Sequence, residues 1–188
     1  MEIILFMMTK AIGSKIWLDK GDPIGQEFKS CVEDLMKIED VKNLNNYTQH
    51  LNTSRLQHSI NVAYYSYFVC KKLGLDFRSA ARGGILHDLY LYNWRVEKQP
   101  EGSHVVAHPK VALRTAKKNV TLNPIETDCI VKHMWPLTFA SPKYPESFLL
   151  SCMDKYCTVL EVGHQAFWLI FGRWKFVHIL VNGGVFVK

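Results

Sequence analysis

Several features that would set a chain of 188 residues apart from ordinary globular proteins are missing from this sequence. There is no internal repeat, no low-complexity segment and no apolar stretch of the roughly 18 to 20 residues needed to span a bilayer. With 48% hydrophobic and 21% charged residues, the composition excludes the disordered class. The length therefore predicts one domain with a core that can form without disulfides.

Cysteine is sparse and shows no C-x-x-C pair, which argues against a disulfide framework. The five cysteines are an odd number, and Cys70, Cys129 and Cys152 lie within apolar helical patterns, where a free thiol behaves as a small hydrophobe. The N-terminus has no basic segment and no small-residue cleavage site, so we expect no signal peptide. Together these features predict a cytoplasmic protein that does not interact with a membrane.

Positive charge is in excess, but it forms no dense stripe of lysine and arginine. The net charge is +6; residues 1–50 carry six basic and eight acidic side chains, whereas residues 51–100 carry seven and three. The basic excess is either a solvated surface or a pocket that attracts phosphate, and both interpretations stay open. No recognisable nucleic-acid-binding motif accompanies it, so nucleic acid is not an expected partner.

Capping residues and chain breakers divide the sequence into a succession of helices, which predicts an all-α fold. Thr53 or Ser54 can cap a long helix, and Asn123 with Glu126 can form a capping box. An irregular loop is expected over residues 93–106. The predicted helices cover residues 23–38, 40–50, 55–73, 77–89, 109–119, 124–133 and 146–162.

The last part of the chain has a different character, because no acidic residue follows Glu161. Two apolar segments rich in β-branched residues flank Asn182-Gly183-Gly184, a sequence typical of a β-hairpin turn, so a short C-terminal hairpin is predicted. We assign residues 1–162 to a helical domain and residues 163–188 to a tail. The tail is interpreted either as an element that forms a homodimer or as an unusual terminus.

Histidine and aspartate occur repeatedly at apolar segments. His87 and Asp88 end one such segment. His133 ends another, Asp154 follows a third, and His58 lies within a fourth. A single histidine in such a place is more often a satisfied core residue than a ligand, but burying so many ionisable groups alone is costly. Their recurrence favours a shared divalent metal, since imidazole and carboxylate suit Zn, Fe, Mn and similar ions.

These residues form the pattern H…HD…D, and the sequence resembles the HD superfamily of phosphohydrolases. His58 precedes His87 by 29 residues, and Asp88 precedes Asp154 by 66 residues. The resemblance covers about residues 50–162, and the adjacent His-Asp after an apolar segment is its most specific element. It implies an HD-domain helical bundle in which these four residues hold a divalent metal. It also implies that metal-activated water hydrolyses a phosphoester or phosphoanhydride bond.

Two further histidines extend the resemblance to the subgroup that binds two metals, and within it to bacterial diadenosine tetraphosphate hydrolases of the HD class. His108 and His133 match the histidines that bind the second ion there, and Asp88 matches the catalytic aspartate that bridges both ions. The resemblance implies two divalent ions, from among Fe, Mn, Zn, Ni, Co and Mg, and a small-molecule phosphate substrate, in particular a nucleotide. Two ions can activate water and stabilise charge on the entering and leaving oxygens, so no protein nucleophile is required.

Four residues near the motif are candidates for binding the substrate. Arg55 lies about one helical turn before the first motif histidine and could meet a phosphate or hold a carboxylate by an ion pair. Arg95 and Lys98 lie beside Trp94 in the irregular loop, where they form either a nucleotide-binding cluster or a solvated surface. His104 is expected to contact the substrate or to orient a metal ligand.

Three other functions stay open. One is a mononuclear nucleotidase, in which His108 and His133 serve structure or substrate binding. Another is a non-enzymatic sensor of a metal or ligand, and a third is an oxygenase, since some di-iron members of the superfamily oxidise their substrates. The occupation of all six ligand positions favours the hydrolase over the sensor.

Overall fold

The computed structural model describes residues 11–12, 22–97, 100 and 102–182 of the chain, with side chains up to residue 163. Over these residues the fold is mainly helical, which confirms the predicted fold class. The helices are α1 (Pro23–Val32), α2 (Glu39–Asn43), α3 (Arg55–Lys72), α4 (Phe77–Leu86), α5 (His104–Asn119), α6 (Pro124–Lys132) and α7 (Pro145–Asn182). The other regular elements are two short 3-10 turns, Leu35–Lys37 and Leu44–Asn46, and an antiparallel pair of strands, β1 (Thr48–His50) and β2 (Thr53–Ser54).

Side-chain caps define the starts of the helices that the sequence marks most clearly. Ser54, rather than Thr53, caps α3, because its Oγ accepts a hydrogen bond from the Gln57 main-chain N–H at 3.2 Å. The Asn123–Glu126 capping box is present at the start of α6, with hydrogen bonds of 2.8 and 2.9 Å. These bonds satisfy N–H groups that the first turn of a helix leaves without partners.

Helix α3 is the centre of the fold. It packs against α4 and α7, and α6 packs against the same two helices and against α5. The main core contains Leu56, Ile60, Tyr67, Ile85, Leu86 and Ile130 among its buried side chains. The described cysteines are all free thiols, and four of the five are buried as small apolar residues. The helices that carry the motif residues are therefore in direct contact with one another.

Close packing of α3 on α4 depends on Gly84. A Cβ atom at this position would lie 2.7 Å from the main-chain nitrogen of Ala63 and 2.9 Å from its Cβ. We therefore expect Gly84→Ala to lower the free energy of unfolding by about 1–3 kcal/mol, the usual cost of overpacking. Gly163→Ala is the matched control in α7, where an added Cβ meets no atom within 4 Å and should stabilise the helix by about 0.5–1 kcal/mol.

Chemical denaturation of the two variants would measure this difference. A Gly84→Ala variant as stable as the parent would show that the two helices can separate without cost, contrary to the packing described here.

Several predicted helix boundaries are wrong. The helix expected over residues 23–38 ends at Val32, and a separate 3-10 turn covers Leu35–Lys37. The helix expected over residues 40–50 ends at Asn43, and a 3-10 turn and strand β1 follow, because these residues pair with β2. Helix α5 begins at His104 instead of at Pro109, so the predicted loop is shorter and Pro109 lies inside the helix. The proline was expected at the first helical position because it lacks an N–H, but it is tolerated within the second turn here.

The predicted C-terminal hairpin is also wrong over the residues that the structure describes. Helix α7 continues to Asn182, through the segment expected to form the first strand. Extending an existing helix costs little once its first turn has formed, and Asn and Gly mark helix ends as well as hairpin turns. Residues 183–188 lie outside the described residues, and the division of the chain at residue 162 stays a prediction. None of the helices described is both long and apolar enough to cross a membrane.

Candidate metal centre

The six residues predicted as metal ligands converge in one buried cluster. They come from five parts of the fold, and each is at most 9% exposed. They are His58 in α3, His87 and Asp88 directly after α4, His108 in α5, His133 directly after α6, and Asp154 in α7. Tertiary packing thus brings together side chains that the sequence separates by up to 96 residues.

One half of the cluster contains His58, His87 and Asp154. The Nε2 atom of His58 lies 3.0 Å from Asp154 Oδ1, and the Nε2 atom of His87 lies 3.9 Å from the same oxygen. His87 Nε2 is also 3.6 Å from Asp88 Oδ2. The ligand atoms of His58, His87 and Asp88 lie close enough together to hold one metal ion.

The other half contains Asp88, His108 and His133. Asp88 Oδ1 lies 3.3 Å from His108 Nε2 and 3.5 Å from His133 Nε2, and the two Nε2 atoms are 2.8 Å apart. These three residues also form a group that could hold one metal ion. Asp88 belongs to both groups, so its carboxylate lies between them.

Two atoms at the centre of the cluster are buried without a hydrogen-bond partner among the described residues: His87 Nε2 and Asp88 Oδ1. Unpaired buried polar atoms are costly, and a metal ion would satisfy both of these. Imidazole nitrogens and carboxylate oxygens are suitable ligands for a divalent transition metal. The side chains present therefore fit the metal ions that the sequence implies.

Hydrogen bonds donated by the Nδ1–H groups turn the Nε2 atoms of the four histidines toward this centre. His87 Nδ1 is 2.8 Å from the carbonyl oxygen of Gly84, and His133 Nδ1 is 2.8 Å from that of Ile130. His108 Nδ1 is 2.7 Å from the carbonyl oxygen of its helix neighbour four residues earlier. His58 differs, because its Nδ1 contacts the carboxylate of Glu161. Such contacts hold an imidazole in one orientation.

The electrostatics of the cluster favour neutral imidazoles at His108 and His133 and a protonated imidazole at His58. Burial and the neighbouring histidines lower the pKa of His133 to about 3, and burial lowers the pKa of His108. Burial also disfavours charged His58, but Asp154 and Glu161 outweigh that effect and raise its pKa to about 10. Binding of a metal ion would replace the proton on His58, because a ligating imidazole must be neutral.

The carboxyl group of Asp88 is held in its charged form. Burial alone would raise its pKa, but the surrounding imidazoles outweigh that effect, with His87 and His108 the largest contributors. The pKa of Asp88 therefore lies well below its usual range. A buried anion between two groups of histidines is a suitable ligand for two cations.

A pocket of about 350 Å³ opens beside the cluster. Its lining combines four of the predicted ligands with polar and apolar side chains, namely Asp88, His108, His133, Asp154, Gln49, His50, His104, Lys155, Thr158, Trp94, Met134, Leu137 and Val159. Apolar walls with a few converging polar groups are typical of small-molecule sites. A substrate in this pocket would contact the cluster directly.

Arg55, a predicted substrate residue, is buried at 1% exposure and bonds to the protein. Its guanidinium donates to the carbonyl oxygens of Tyr90 and Tyr92 and, at 3.0 Å, to Gln49 Oε1, and it lies 3.5 Å from the centre of the Tyr90 ring. Gln49 Nε2 then donates to Asp88 Oδ2 at 2.6 Å. Arg55 thus supports the cluster through Gln49, and its direct contact with phosphate stays a prediction.

The other predicted substrate residues lie at the mouth of the pocket or outside the described residues. The ring of His104 stacks on Trp94, with centroids 4.9 Å apart, and on His108, at 4.4 Å. The guanidinium of Arg95 lies 4.6 Å from the centre of the Trp94 ring and donates to carbonyl oxygens of β1. Lys98 lies outside the described residues.

Among the residues around the cluster and its pocket that sequence reasoning did not identify are Gln49, His50, Lys155 and Glu161. Lys155 Nζ lies 3.1 Å from Asp154 Oδ2 and forms an ion pair with it. The centroid of the His50 ring lies 5.2 Å from that of the His58 ring. Of these residues, only Glu161 could have been identified from the sequence, because it follows Asp154 by seven residues, two turns along one helix face.

Fold and cluster together define a mainly helical protein with a buried histidine–aspartate site suited to divalent metals. Among curated proteins, the chain is similar to ribonuclease Y of Mycoplasma capricolum, with 37% identity over 78 residues, 42% of this chain and 14% of the relative. It is also similar to ribonuclease Y of Thermotoga maritima, with 32% identity over 99 residues, 53% of this chain and 17% of the relative. The chain thus matches less than a fifth of the length of these relatives. No protein-family model and no solved structure matches it.

Proposed function

We propose that this chain is a metal-dependent hydrolase of phosphate esters. The observation that carries the proposal is the pair of unpartnered buried atoms, His87 Nε2 and Asp88 Oδ1, at the meeting point of four histidines and two aspartates. A purely structural cluster would be expected to satisfy these atoms internally. The resemblance to HD phosphohydrolases supports the same chemistry.

The proposed roles follow from the two halves of the cluster. His58, His87 and Asp154 would hold a first ion, His108 and His133 a second, and Asp88 would contact both. Bound there, the ions would activate a water molecule for in-line attack and neutralise charge on the phosphoryl oxygens. The residues contribute fixed ligand positions, and apolar side chains of the pocket lie beside them.

The proposed substrate class is single-stranded RNA or a short oligoribonucleotide. The relatives are ribonucleases by name, so the expectation that nucleic acid is not a partner finds no support. A small nucleotide, which the sequence favoured, is the second candidate, because the pocket of about 350 Å³ lies within the size range of small-molecule sites. Both candidates present a phosphate bonded to a nucleoside, and both suit the aromatic rings at the pocket mouth.

A substrate comparison tests this proposal. Purified protein loaded with Mn²⁺ would be incubated separately with a short single-stranded RNA, the same sequence as DNA, and a dinucleoside polyphosphate, each with and without EDTA. We expect metal-dependent cleavage of RNA. Preferential cleavage of the dinucleoside polyphosphate would favour the nucleotide alternative, and no cleavage of any substrate by metal-loaded, folded protein would contradict the proposed function.

Trp94 is the side chain best placed to stack on a base. It lines the pocket, is 38% exposed and already stacks on the ring of His104. Base–aromatic stacking contributes about 1–3 kcal/mol per base, so we expect Trp94→Ala to raise KM for RNA about tenfold with little change in kcat. Steady-state kinetics would measure both constants. Phe139→Ala is the control, because Phe139 is fully exposed and does not line the pocket; an unchanged KM in Trp94→Ala would leave Trp94 a packing role only.

A mononuclear nucleotidase is the alternative to the proposed binuclear hydrolase, and one contact supports it. His108 Nε2 and His133 Nε2 lie 2.8 Å apart, so a proton on one of the two rings would let that ring donate a hydrogen bond to the other. In that case they would shape the pocket without holding an ion. Counting metal ions per chain separates this candidate from the binuclear proposal.

A further inference from the structure

Glu161 is a fully buried carboxylate that lies outside the set of six predicted ligands. Its exposure is 0%, and its two carboxylate oxygens lie 3.1 and 3.0 Å from Nδ1 of His58. The side-chain amide of Asn61 donates to Oε1 at 2.7 Å. Burying a carboxylate is costly unless it is paired and hydrogen-bonded, so these contacts account for its place in the fold.

His58 obtains its Nδ1 partner differently from the other three histidines. His87 and His133 follow helix ends, where main-chain carbonyl groups lack intrahelical partners and can accept from Nδ1. His108 donates to the carbonyl oxygen of His104 within its own helix. His58 is the fourth residue of α3, and the acceptor for its Nδ1 comes from another element, Glu161 of α7.

Asn61 fixes Glu161 in place. It lies three residues after His58 on the same face of α3, so one carboxylate spans both side chains. Its Oδ1 atom accepts from Gln57 Nε2 at 2.8 Å and from the main-chain N–H of Ile12 at 3.1 Å. Hydrogen bonds to its oxygen and from its nitrogen therefore fix the orientation of the Asn61 amide, and hence that of the Glu161 carboxylate.

We propose that Glu161 is a positioning residue that holds the ring of His58 with its Nε2 toward the first metal ion. This inference rests on the proposed metal site. A carboxylate on the far nitrogen of a ligating histidine fixes the ring and strengthens it as a ligand. Helix α7 then provides Asp154 as one ligand and, two turns later, the support for a second.

The test measures binding of Mn²⁺ alone by equilibrium dialysis and metal analysis, in the His133→Ala background, which we expect to keep only the first ion. Loss of an outer partner of a metal ligand typically costs about 10- to 100-fold in affinity, so we expect Glu161→Ala to weaken Mn²⁺ binding by that factor. Glu161→Gln keeps one oxygen that can accept from His58 and should recover part of the loss.

Two controls separate positioning from other roles. Glu146→Ala removes another buried carboxylate of α7, one that accepts from the Asp76 main-chain N–H at 3.0 Å and does not contact the cluster. Glu146→Ala should lower stability and leave Mn²⁺ affinity unchanged.

His50→Ala tests whether Glu161 is itself a ligand, because His50, His58 and Glu161 also form a group that could hold a metal. We expect His50→Ala to leave Mn²⁺ affinity unchanged.

Two results would overturn the inference. Unchanged Mn²⁺ affinity in a folded Glu161→Ala variant that only melts earlier would make Glu161 a structural residue. An equal loss of affinity in His50→Ala would make Glu161 a direct ligand. Neither result depends on a substrate, so failure to cleave RNA would refute the proposed function while leaving this measurement intact.

Discussion

Asp88→Ala is expected to abolish hydrolysis, with a loss of about a thousandfold or more. Asp88 belongs to both groups of ligands, and its charged carboxylate lies among four imidazoles. Loss of the ions would forfeit several kcal/mol of transition-state stabilisation, and each 1.36 kcal/mol is about tenfold in rate. The measurement is the rate of RNA cleavage together with the metal content of the same sample.

The comparison requires folded protein, because a bound metal also stabilises the native state. Asp128→Ala is the matched control: Asp128 is 7% exposed and accepts from the Lys143 main-chain N–H at 2.7 Å, away from the cluster. It should lose stability but keep its metal and its rate. If folded, metal-depleted Asp88→Ala cleaves RNA as fast as the parent, the metal is structural and the assignment as a metal-dependent hydrolase is wrong.

His133→Ala is expected to leave one metal ion per chain and to lower the rate at least about a hundredfold, the scale of losing one stabiliser of transition-state charge. His133 is 1% exposed and, of the two possible metal groups of the cluster, belongs only to the group of Asp88 and His108. Its removal should therefore empty the second position and spare the first. Metal analysis after exhaustive dialysis, paired with single-turnover cleavage, would show both effects.

His58→Ala provides the contrasting variant, because His58 belongs to the first position. It should weaken that position while His108 and His133 remain in place. A parent protein with one ion, and a His133→Ala variant with the same ion and an unchanged rate, would rule out the binuclear proposal and favour the mononuclear nucleotidase.

The sequence predicts much of the candidate site because histidine and aspartate residues recur at apolar helical segments. His87 and Asp88 end an apolar helical segment, and His133 and Asp154 each follow another, so their polar atoms face the interior at helix ends or edges. The six predicted residues converge in the structure, and their binding of metal stays a prediction. The cap at Asn123 was predicted, and that of α3 was narrowed to Thr53 or Ser54, because a cap is a local hydrogen bond between close neighbours.

Contacts between distant parts of the chain could not be predicted in this way. Gln49 reaches Asp88 from a strand 39 residues earlier, and Glu161 reaches His58 across 103 residues. Neither residue stands in a motif, since any buried amide or carboxylate could fill the role. Arg55 shows the same limit, because its predicted partners were phosphate or carboxylate and its partners in the structure are carbonyl oxygens and Gln49.

By itself the sequence determined the helical class and the capping box at Asn123, because periodicity and capping act over a few residues, and its resemblance to the HD superfamily supplied the candidate ligand set. Only the structure decided that α7 continues to Asn182, through the expected first strand, and that α5 begins at His104. It also decided which side chains orient the ligands, with Glu161 behind His58 and Gln49 behind Asp88. The physical reason is that local propensity differs by little between alternatives, whereas burial and hydrogen bonding between distant residues outweigh it.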